Sequence, residues 1–183
     1  MNIQKLEKVL ANYNISLSKV KNNNSPSMPF MLSLFHELTI NEIPPTQNEL
    51  IDEFKDRFPE HAKADGAIPR LKRSYLSFVR EYHLGFLLRK HFSTVIYDEE
   101  LDFAGVDFVV YYKRHKFNIH AFVDTESGRY WREIKNKRHN FEGRHLDIAL
   151  NLRTGKRCGQ FILYTNSNIA KLKVEMEKAI NAK

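Results

Sequence analysis

Apolar side chains recur every three or four residues through most of the first half of the chain, which is the spacing of amphipathic helices. The helices predicted from this spacing cover residues 2–13, 29–38, 46–58 and 69–92. Residues 14–28 contain the run N-N-N-S-P-S and are predicted to form a loop or linker. Thr46 and Glu49 match the capping-box pattern, so Thr46 is expected to cap the third helix.

The second half of the chain changes to the pattern of β-strands. Two runs rich in Val, Ile, Tyr and Phe, Val106–Tyr112 and Phe117–Val123, flank the polar break Lys113–Lys116. This pattern predicts a β-hairpin. The remaining elements predicted from apolar patterning are strands over residues 94–97 and 158–165 and a helix over residues 167–182.

The segment Thr125–His139 fits two interpretations. As a helix capped by Thr125, it presents a basic stripe that includes Arg129 and Arg132 at a spacing of three. As a strand, Arg129–Lys135 also fits, because it contains Tyr, Trp and Ile. The helix is favoured, and the strand stays open as the alternative.

The hairpin brings two acidic residues toward one corner. If Tyr112 faces Phe117, Asp107 lies opposite Phe122, and Asp124 lies one pleat further along. Because side chains alternate between faces, Asp107 and Asp124 are then expected on the same face. Two converging carboxylates suit Mg²⁺, which can polarise a phosphoryl oxygen. The alternative is two solvated acids at strand ends.

Two further titratable residues lie in apolar stretches. Glu81 falls within the broadly apolar helix 69–92, where a carboxylate is costly unless it is paired or bound to a metal. It is expected either at a site, or paired with Arg80 or His83, or on an exposed face. His120 could act as a ligand or base, but a lone histidine on a strand is more often structural.

The positive charge of the chain is concentrated in one segment. The net charge is +7, and Lys113–Arg157 contains twelve lysines and arginines against five aspartates and glutamates. The rest of the chain has 17 of each sign. Such a footprint favours a polyanion, most often nucleic acid. An acidic protein or an anionic membrane surface fits less well, because no strongly amphipathic basic helix is evident.

Composition excludes several classes of protein. Cys158 is the single cysteine, which excludes an internal disulfide and a Cys-rich zinc site. No apolar run approaches the roughly 18 residues of a membrane span. The polar start MNIQKLEKV does not have the pattern of a signal peptide, so a cytoplasmic protein without membrane contact is expected.

The predicted order from residue 69 onward is helix, three strands, helix and strand, with Gly105-Val106-Asp107 at the start of the middle strand. This αβββαβ order, over about residues 69–180, resembles the PD-(D/E)XK nuclease superfamily, and within it the restriction-endonuclease-like enzymes. The resemblance implies an α/β (α+β) fold with a mixed central sheet. It also implies phosphodiester cleavage that depends on Mg²⁺ or Mn²⁺. The first acid of the family maps to Asp107, and its helix glutamate maps to Glu81.

The acid-x-Lys part of the family signature has two candidates. Asp124-Thr125-Glu126 has glutamate where lysine is expected, a replacement that some restriction enzymes show. Glu133-Ile134-Lys135 is a literal match, but it begins 26 residues beyond Asp107. The predicted hairpin favours the first candidate. Asp107 and Asp124 are therefore the expected metal ligands, Glu126 a third acid or general base, and Lys135 a charge stabiliser.

The resemblance also gives the basic residues a role and suggests two regions. Residues 1–65 are expected to form an all-helical region for dimerisation or, as a helix-turn-helix unit, for DNA contact, and residues 66–183 the nuclease domain. The expected partners are DNA and a second copy of the chain or a larger nucleoprotein complex. The residues expected to bind the phosphate backbone are Arg129, Arg132, Lys137, Arg138 and Arg144.

Three functions follow in order of preference. The first is a metal-dependent DNA endonuclease of restriction or mobile-element type. The second is a non-catalytic DNA-binding module or subunit that keeps the nuclease-like fold. The third is a protein-interaction domain whose basic stripe meets an acidic partner. The alternative for the basic residues themselves is a solvated helix face.

Overall fold

The structure is a computed structural model that describes residues 1–17, 31–97, 105–138 and 143–182, without the side chains of Trp131 and residues 135–138. Two units are distinguished by their internal contacts. One unit contains residues 1–80 and 158–161, and the other contains residues 81–157 and 162–183. Within the described residues, no helix has both the length and the apolar character needed to cross a membrane. The expected domains 1–65 and 66–183 stay a prediction.

The first unit is helical, as the apolar spacing predicted. Its helices are α1 (Ile3–Ala11), α2 (Met31–Glu37), α3 (Gln47–Arg57), α4 (Pro59–Lys63) and the first part of α5 (Ala67–His91). Thr46 caps α3 through the predicted capping box. The Glu49 N–H donates to Thr46 Oγ1 (3.3 Å), and the Thr46 N–H donates to the Glu49 carboxylate (2.7 Å). The core of this unit contains Leu6, Leu10, Phe35, Leu50, Phe54, Leu71 and Tyr75.

The second unit contains a four-stranded mixed sheet in the order β1-β2-β3-β4. Three strands run antiparallel, and β4 returns parallel to β3 after a crossover helix. This agrees with the expected α+β class and mixed sheet. The elements are β1 (Thr94–Ile96), β2 (Phe108–Tyr112), β3 (His115–Val123), α6 (Glu126–Arg138), β4 (Arg144–Leu150), β5 (Lys156–Cys158), β6 (Phe161–Leu163) and α7 (Asn166–Asn181).

The hairpin between β2 and β3 is tighter than the sequence predicted. Tyr112 pairs with His115, so the turn contains only Lys113 and Arg114. Both have positive φ, 48° and 66°, as a type I′ turn requires. The predicted four-residue break and the pairing of Tyr112 with Phe117 are therefore wrong. The error arose because type I′ turns are normally signalled by Asn-Gly, and Lys-Arg gives no such signal.

The fold decides two further predictions and contains one strand that was not predicted. The segment 126–138 is helical, so the strand interpretation of residues 129–135 is wrong. The predicted strand 158–165 is interrupted by a turn in which Gly159 has φ 56°, and only Phe161–Leu163 and the end of β5 are extended. The strand β4 was missed, although Leu146, Ile148 and Leu150 alternate with more polar residues.

The two faces of the sheet differ in polarity. One face buries Phe108, Val110, Phe117, Ile119, Ile148 and Leu150. This face lies against α5, where Gly85 leaves room for the Phe108 ring, and against α7, where Asn168 donates to the carbonyl of Ala149 (3.0 Å). The other face carries polar side chains on neighbouring strands, because Asn118 pairs with His145 and His120 pairs with Asp147.

Candidate functional site

The side chain of Asp107 makes the last hydrogen bond between β2 and β3, at the start of β2. Its backbone N–H donates to the carbonyl of Ile119 (3.1 Å), and its Oδ2 accepts the backbone N–H of Ala121 (2.5 Å). Oδ2 therefore takes the position of the backbone acceptor that a longer β2 would supply. The residue is only 5% exposed, so these hydrogen bonds fix a buried carboxylate at the start of β2.

Asp124 follows the last residue of β3 and has its own partners. Its backbone N–H donates to the carbonyl of Leu150 (2.8 Å), which joins the ends of β3 and β4. Its carboxylate forms a salt bridge with Arg129 in the first turns of α6 (2.7 Å). The Asp124 side chain is 31% exposed and the Arg129 side chain 65%, so this pair is a weakly stabilising surface contact.

The tighter turn changes the expected relation between the two acids. Phe108 pairs with Ile119, so Asp107 is not opposite Phe122, and that prediction is wrong. The amide that binds Asp107 belongs to Ala121, three residues before Asp124, which is roughly 10 Å along an extended strand. The Asp107 carboxylate accepts from the Ala121 amide, whereas the Asp124 carboxylate is paired with Arg129.

The other residues predicted to be catalytic lie on two helices. Glu81 is half-buried on α5, and Glu126 is exposed in the first turn of α6. Glu133 and Lys135 also lie on α6, where positions i and i+2 face apart. The backbone of Lys135 is roughly 13 Å along the helix axis from that of Glu126, and its side chain lies outside the described set. The roles of all four residues stay predictions.

The polar face of the sheet contains a hydrogen-bonded row that sequence reasoning did not identify. Asn118 Nδ2 lies 3.2 Å from His145 Nε2, and His145 Nδ1 lies 3.1 Å from His120 Nε2. The two imidazole rings are nearly parallel, with centroids 5.4 Å apart. His120 is 2% exposed and Asn118 is 8% exposed. The alternation of polar residues with Phe117, Ile119 and Ile148 was the available signal.

The orientation of the Asn118 amide sets the direction of hydrogen bonding in the row. The Asn118 amide nitrogen can only donate, so His145 Nε2 accepts and its proton is on Nδ1. That proton is donated to His120 Nε2, which leaves the proton of His120 on Nδ1. Both imidazoles are therefore neutral in this arrangement. One added proton can be accommodated if the Asn118 amide turns its oxygen toward His145, whereas two would set donors against each other.

The residues predicted to contact phosphate lie in three settings. Arg132 is 10% exposed, and its guanidinium binds the carboxylate of Asp147 at 2.6 and 2.7 Å. Arg129 is exposed but paired with Asp124. Arg144 donates to His115 Nδ1 (2.6 Å). Lys137 and Arg138 lie at the end of α6, and their side chains are outside the described set.

The β2–β3 turn is bound to α7 by one carboxylate. Glu177 accepts from Lys113 (2.6 Å) and from the hydroxyl of Tyr112 (2.7 Å). These hydrogen bonds, from Lys113 first and Tyr112 second, lower the pKa of Glu177. The same contacts raise the pKa of Lys113 and of Tyr112, whose largest cause is in each case the hydrogen bond to Glu177.

No family model, curated protein or solved structure matches this chain. The arrangement of its residues is therefore the basis for any functional conclusion. That arrangement combines a fixed, buried carboxylate at the start of β2 with a directional His–His–Asn row on one face of the sheet and a cationic hairpin turn.

The described residues offer a magnesium ion few protein ligands. Across residues 1–17, 31–97, 105–138 and 143–182, no three His, Cys, Asp or Glu side chains are grouped as a metal site would need. Asp107 by itself fits the chemistry. Its carboxylate is buried at the start of β2, and carboxylate oxygens are the ligands that Mg²⁺ prefers. Mg²⁺ usually needs only one or two protein carboxylates, with water and substrate phosphate completing its shell.

Proposed function

We propose that the chain is a metal-dependent DNA endonuclease with a restriction-endonuclease-like core. One observation carries the proposal. The elements α5, β1, β2, β3, α6 and β4 follow the order αβββαβ, β4 returns parallel to β3, and the buried carboxylate of Asp107 lies at the start of the second strand. This is the position that the first acid of a PD-(D/E)XK nuclease would occupy.

Asp107 would hold the divalent cation, Mg²⁺ or Mn²⁺, and the Ala121 amide would keep its carboxylate oriented. When bound, the metal would supply Lewis-acid polarisation of a phosphate oxygen. The chain itself would contribute a buried site beside the ends of β3 and β4. Arg129, which is exposed and close to the end of β3, would contact a phosphate after exchanging its bond with Asp124.

The distribution of charge supports DNA as the substrate. The entire excess of positive charge falls within Lys113–Arg157, the segment that contains the turn, β3, α6 and β4. Cleavage of both strands of a duplex normally requires two active sites, so the proposal includes a symmetric dimer. A cytoplasmic location is part of the same proposal.

The experiment is the conversion of supercoiled plasmid to nicked or linear DNA. Wild-type protein is expected to cleave with Mg²⁺ or Mn²⁺ and to lose activity in EDTA. Asp107→Asn is expected to be inactive yet folded, because the amide oxygen of asparagine can still accept from Ala121. Asp52→Asn is the matched control, since Asp52 is an exposed acid on α3. Intact plasmid under every metal condition, with folded wild-type protein, would remove the enzyme from the proposal.

A second candidate is a DNA-binding module that keeps this fold without chemistry. It is favoured by a specific observation: the second predicted ligand, Asp124, is bound to Arg129 and follows the Ala121 amide by three residues. A non-catalytic protein should bind DNA equally with and without Mg²⁺. Tighter binding of duplex by wild type in Ca²⁺ than in EDTA, lost in Asp107→Asn, would favour the enzyme.

A further inference from the structure

The β2–β3 turn is made of residues that its backbone geometry disfavours. Lys113 and Arg114 both have positive φ, a conformation in which an L side chain crowds the following carbonyl. Two-residue turns of this kind are normally Asn-Gly or Asp-Gly. Backbone strain that persists in this way is concentrated at functional sites. The chain therefore keeps two cationic side chains where a neutral Asn-Gly pair would be more stable.

Two more cations lie beside this turn. Lys116 pairs with Tyr111 across the hairpin, and Arg144 pairs with Phe117 on the neighbouring strand. Adjacent strands are about 4.8 Å apart, so the backbones of the four residues span roughly 10 Å along the end edge of the sheet. At that edge Lys116 lies on the polar face with Asn118, and Arg144 lies on the opposite face with Phe117. B-DNA carries about six phosphate charges over that length of helix axis. We call this group the hairpin-end cations: Lys113, Arg114, Lys116 and Arg144.

Among the residues that the structure describes, few carboxylates balance this positive charge. Lys113 is paired with Glu177. Arg114 and Lys116 are exposed, and over the ranges that the structure describes neither makes a salt bridge or a side-chain hydrogen bond. Arg144 donates to a neutral ring nitrogen of His115, which leaves its charge unbalanced. Within the described part of the chain, the four cations therefore have one carboxylate partner, Glu177.

Arg144 is also oriented before any partner binds. Its guanidinium lies 5.9 Å from the centroid of the buried Phe117 ring. Because arginine has no acceptor, His115 Nδ1 must accept the hydrogen bond, and the proton of neutral His115 is on Nε2. An arginine held in this way loses less side-chain freedom when it contacts a phosphate.

We propose that the hairpin-end cations form a binding surface for the phosphate backbone of duplex DNA, separate from the predicted basic stripe of α6. This inference rests on the proposed function for the identity of the polyanion. The turn is seven residues of β3 away from Ala121, roughly 23 Å. A duplex that lies along the hairpin would therefore be contacted about seven base pairs from Asp107.

The test replaces the turn with the pair that its geometry prefers. Lys113→Asn combined with Arg114→Gly removes two charges and relieves the backbone. The relieved backbone should offset the lost Lys113–Glu177 pair, so the melting temperature is expected to stay close to that of wild type, and weaker DNA binding would not be caused by unfolding. Each phosphate contact contributes about −0.9 to the slope of log Kobs against log salt concentration, so the slope should become shallower by about two units.

The binding assay is fluorescence anisotropy of a labelled 20-base-pair duplex in EDTA, at a series of salt concentrations. The control is Lys55→Gln combined with Lys63→Gln, which removes the same charge from exposed lysines on α3 and α4. It should keep the wild-type slope. The inference is overturned if the turn variant keeps the affinity and slope of wild type, or if wild type has no affinity for duplex.

Two additional readouts separate this inference from its alternatives. Anionic vesicles and polyglutamate are tested with the same variants, and a turn effect confined to either of them overturns the assignment of DNA. Asp107→Asn should keep the binding that depends on the turn. If wild type does not cleave DNA but the turn variant still binds DNA more weakly than wild type does, this inference is supported and the nuclease proposal is removed.

Discussion

The two ends of the four-stranded sheet use charge in different ways. Where β2 begins and β3 stops, each acid is bound within the chain, Asp107 by the Ala121 amide and Asp124 by Arg129. At the hairpin end, four cations have one carboxylate partner among the described residues, that of Glu177. A charge that is paired with another group of the chain helps to hold the fold. Several unpaired charges of one sign repel each other and attract a partner of opposite charge.

This difference separates two steps of the proposed activity. The hairpin end is suited to attracting and positioning DNA, because its cations are exposed and sequence-independent phosphate contacts need little burial. The Asp107 end is suited to chemistry, because its carboxylate is buried and fixed by the backbone. The following substitutions change one end at a time.

The largest effect on stability is expected at the base of the hairpin end. Phe117 is fully buried beneath Arg144, and Phe117→Ala should lower the free energy of unfolding by about 3–5 kcal/mol. Urea denaturation measures this loss. Phe117→Leu is the control, and it should cost less because most of the buried volume is kept. A loss below about 1 kcal/mol for alanine would contradict the described packing.

A smaller effect is expected at the other end. Asp107→Ala removes the acceptor of the Ala121 amide, and a buried donor left unsatisfied costs about 1–3 kcal/mol. Asp107→Asn keeps an acceptor and should be closer to wild type in stability. The comparison again uses urea denaturation. Equal losses in the two variants would show that the hydrogen bond to Ala121 does not hold this end of the sheet.

The smallest effect concerns Glu177, the carboxylate that binds Lys113 at the hairpin end. The pKa of Glu177 is lowered, first by its hydrogen bond with Lys113 and then by that with Tyr112. The stabilisation is therefore complete above the ordinary value of 4.5 and is lost as the pH falls through the lowered folded-state value. The stability difference between wild type and Glu177→Gln should shrink from pH 7 to pH 3. A difference that grows over that range would contradict this sign.

Much of the fold could be predicted because its local signals agree with its tertiary structure. Thr46 and Glu49 form the expected capping box, and Thr125 starts α6 with a hydrogen bond from the Gly128 N–H to its hydroxyl. The strands β2 and β3 were identified from their Val, Ile, Tyr and Phe content. In each case the local residue pattern favours one type of secondary structure, so the element could be identified from the sequence alone.

The geometry of the candidate site was less predictable for a physical reason. Side-chain positions across a hairpin depend on the exact turn, and Lys113-Arg114 adopts a backbone that other residues favour. The row of Asn118, His120 and His145 depends on the register of β3 with β4, whose strand was missed. His139, the last residue of the segment predicted as a helix, lies outside the described residues.

The most direct test of the nuclease proposal is the rate of plasmid cleavage in Mg²⁺ by folded Asp107→Asn protein, measured beside wild type at equal DNA occupancy. The account predicts that wild type cleaves and that Asp107→Asn, brought to the same DNA occupancy, does not cleave. Cleavage by Asp107→Asn at the wild-type rate would contradict the assignment of Asp107.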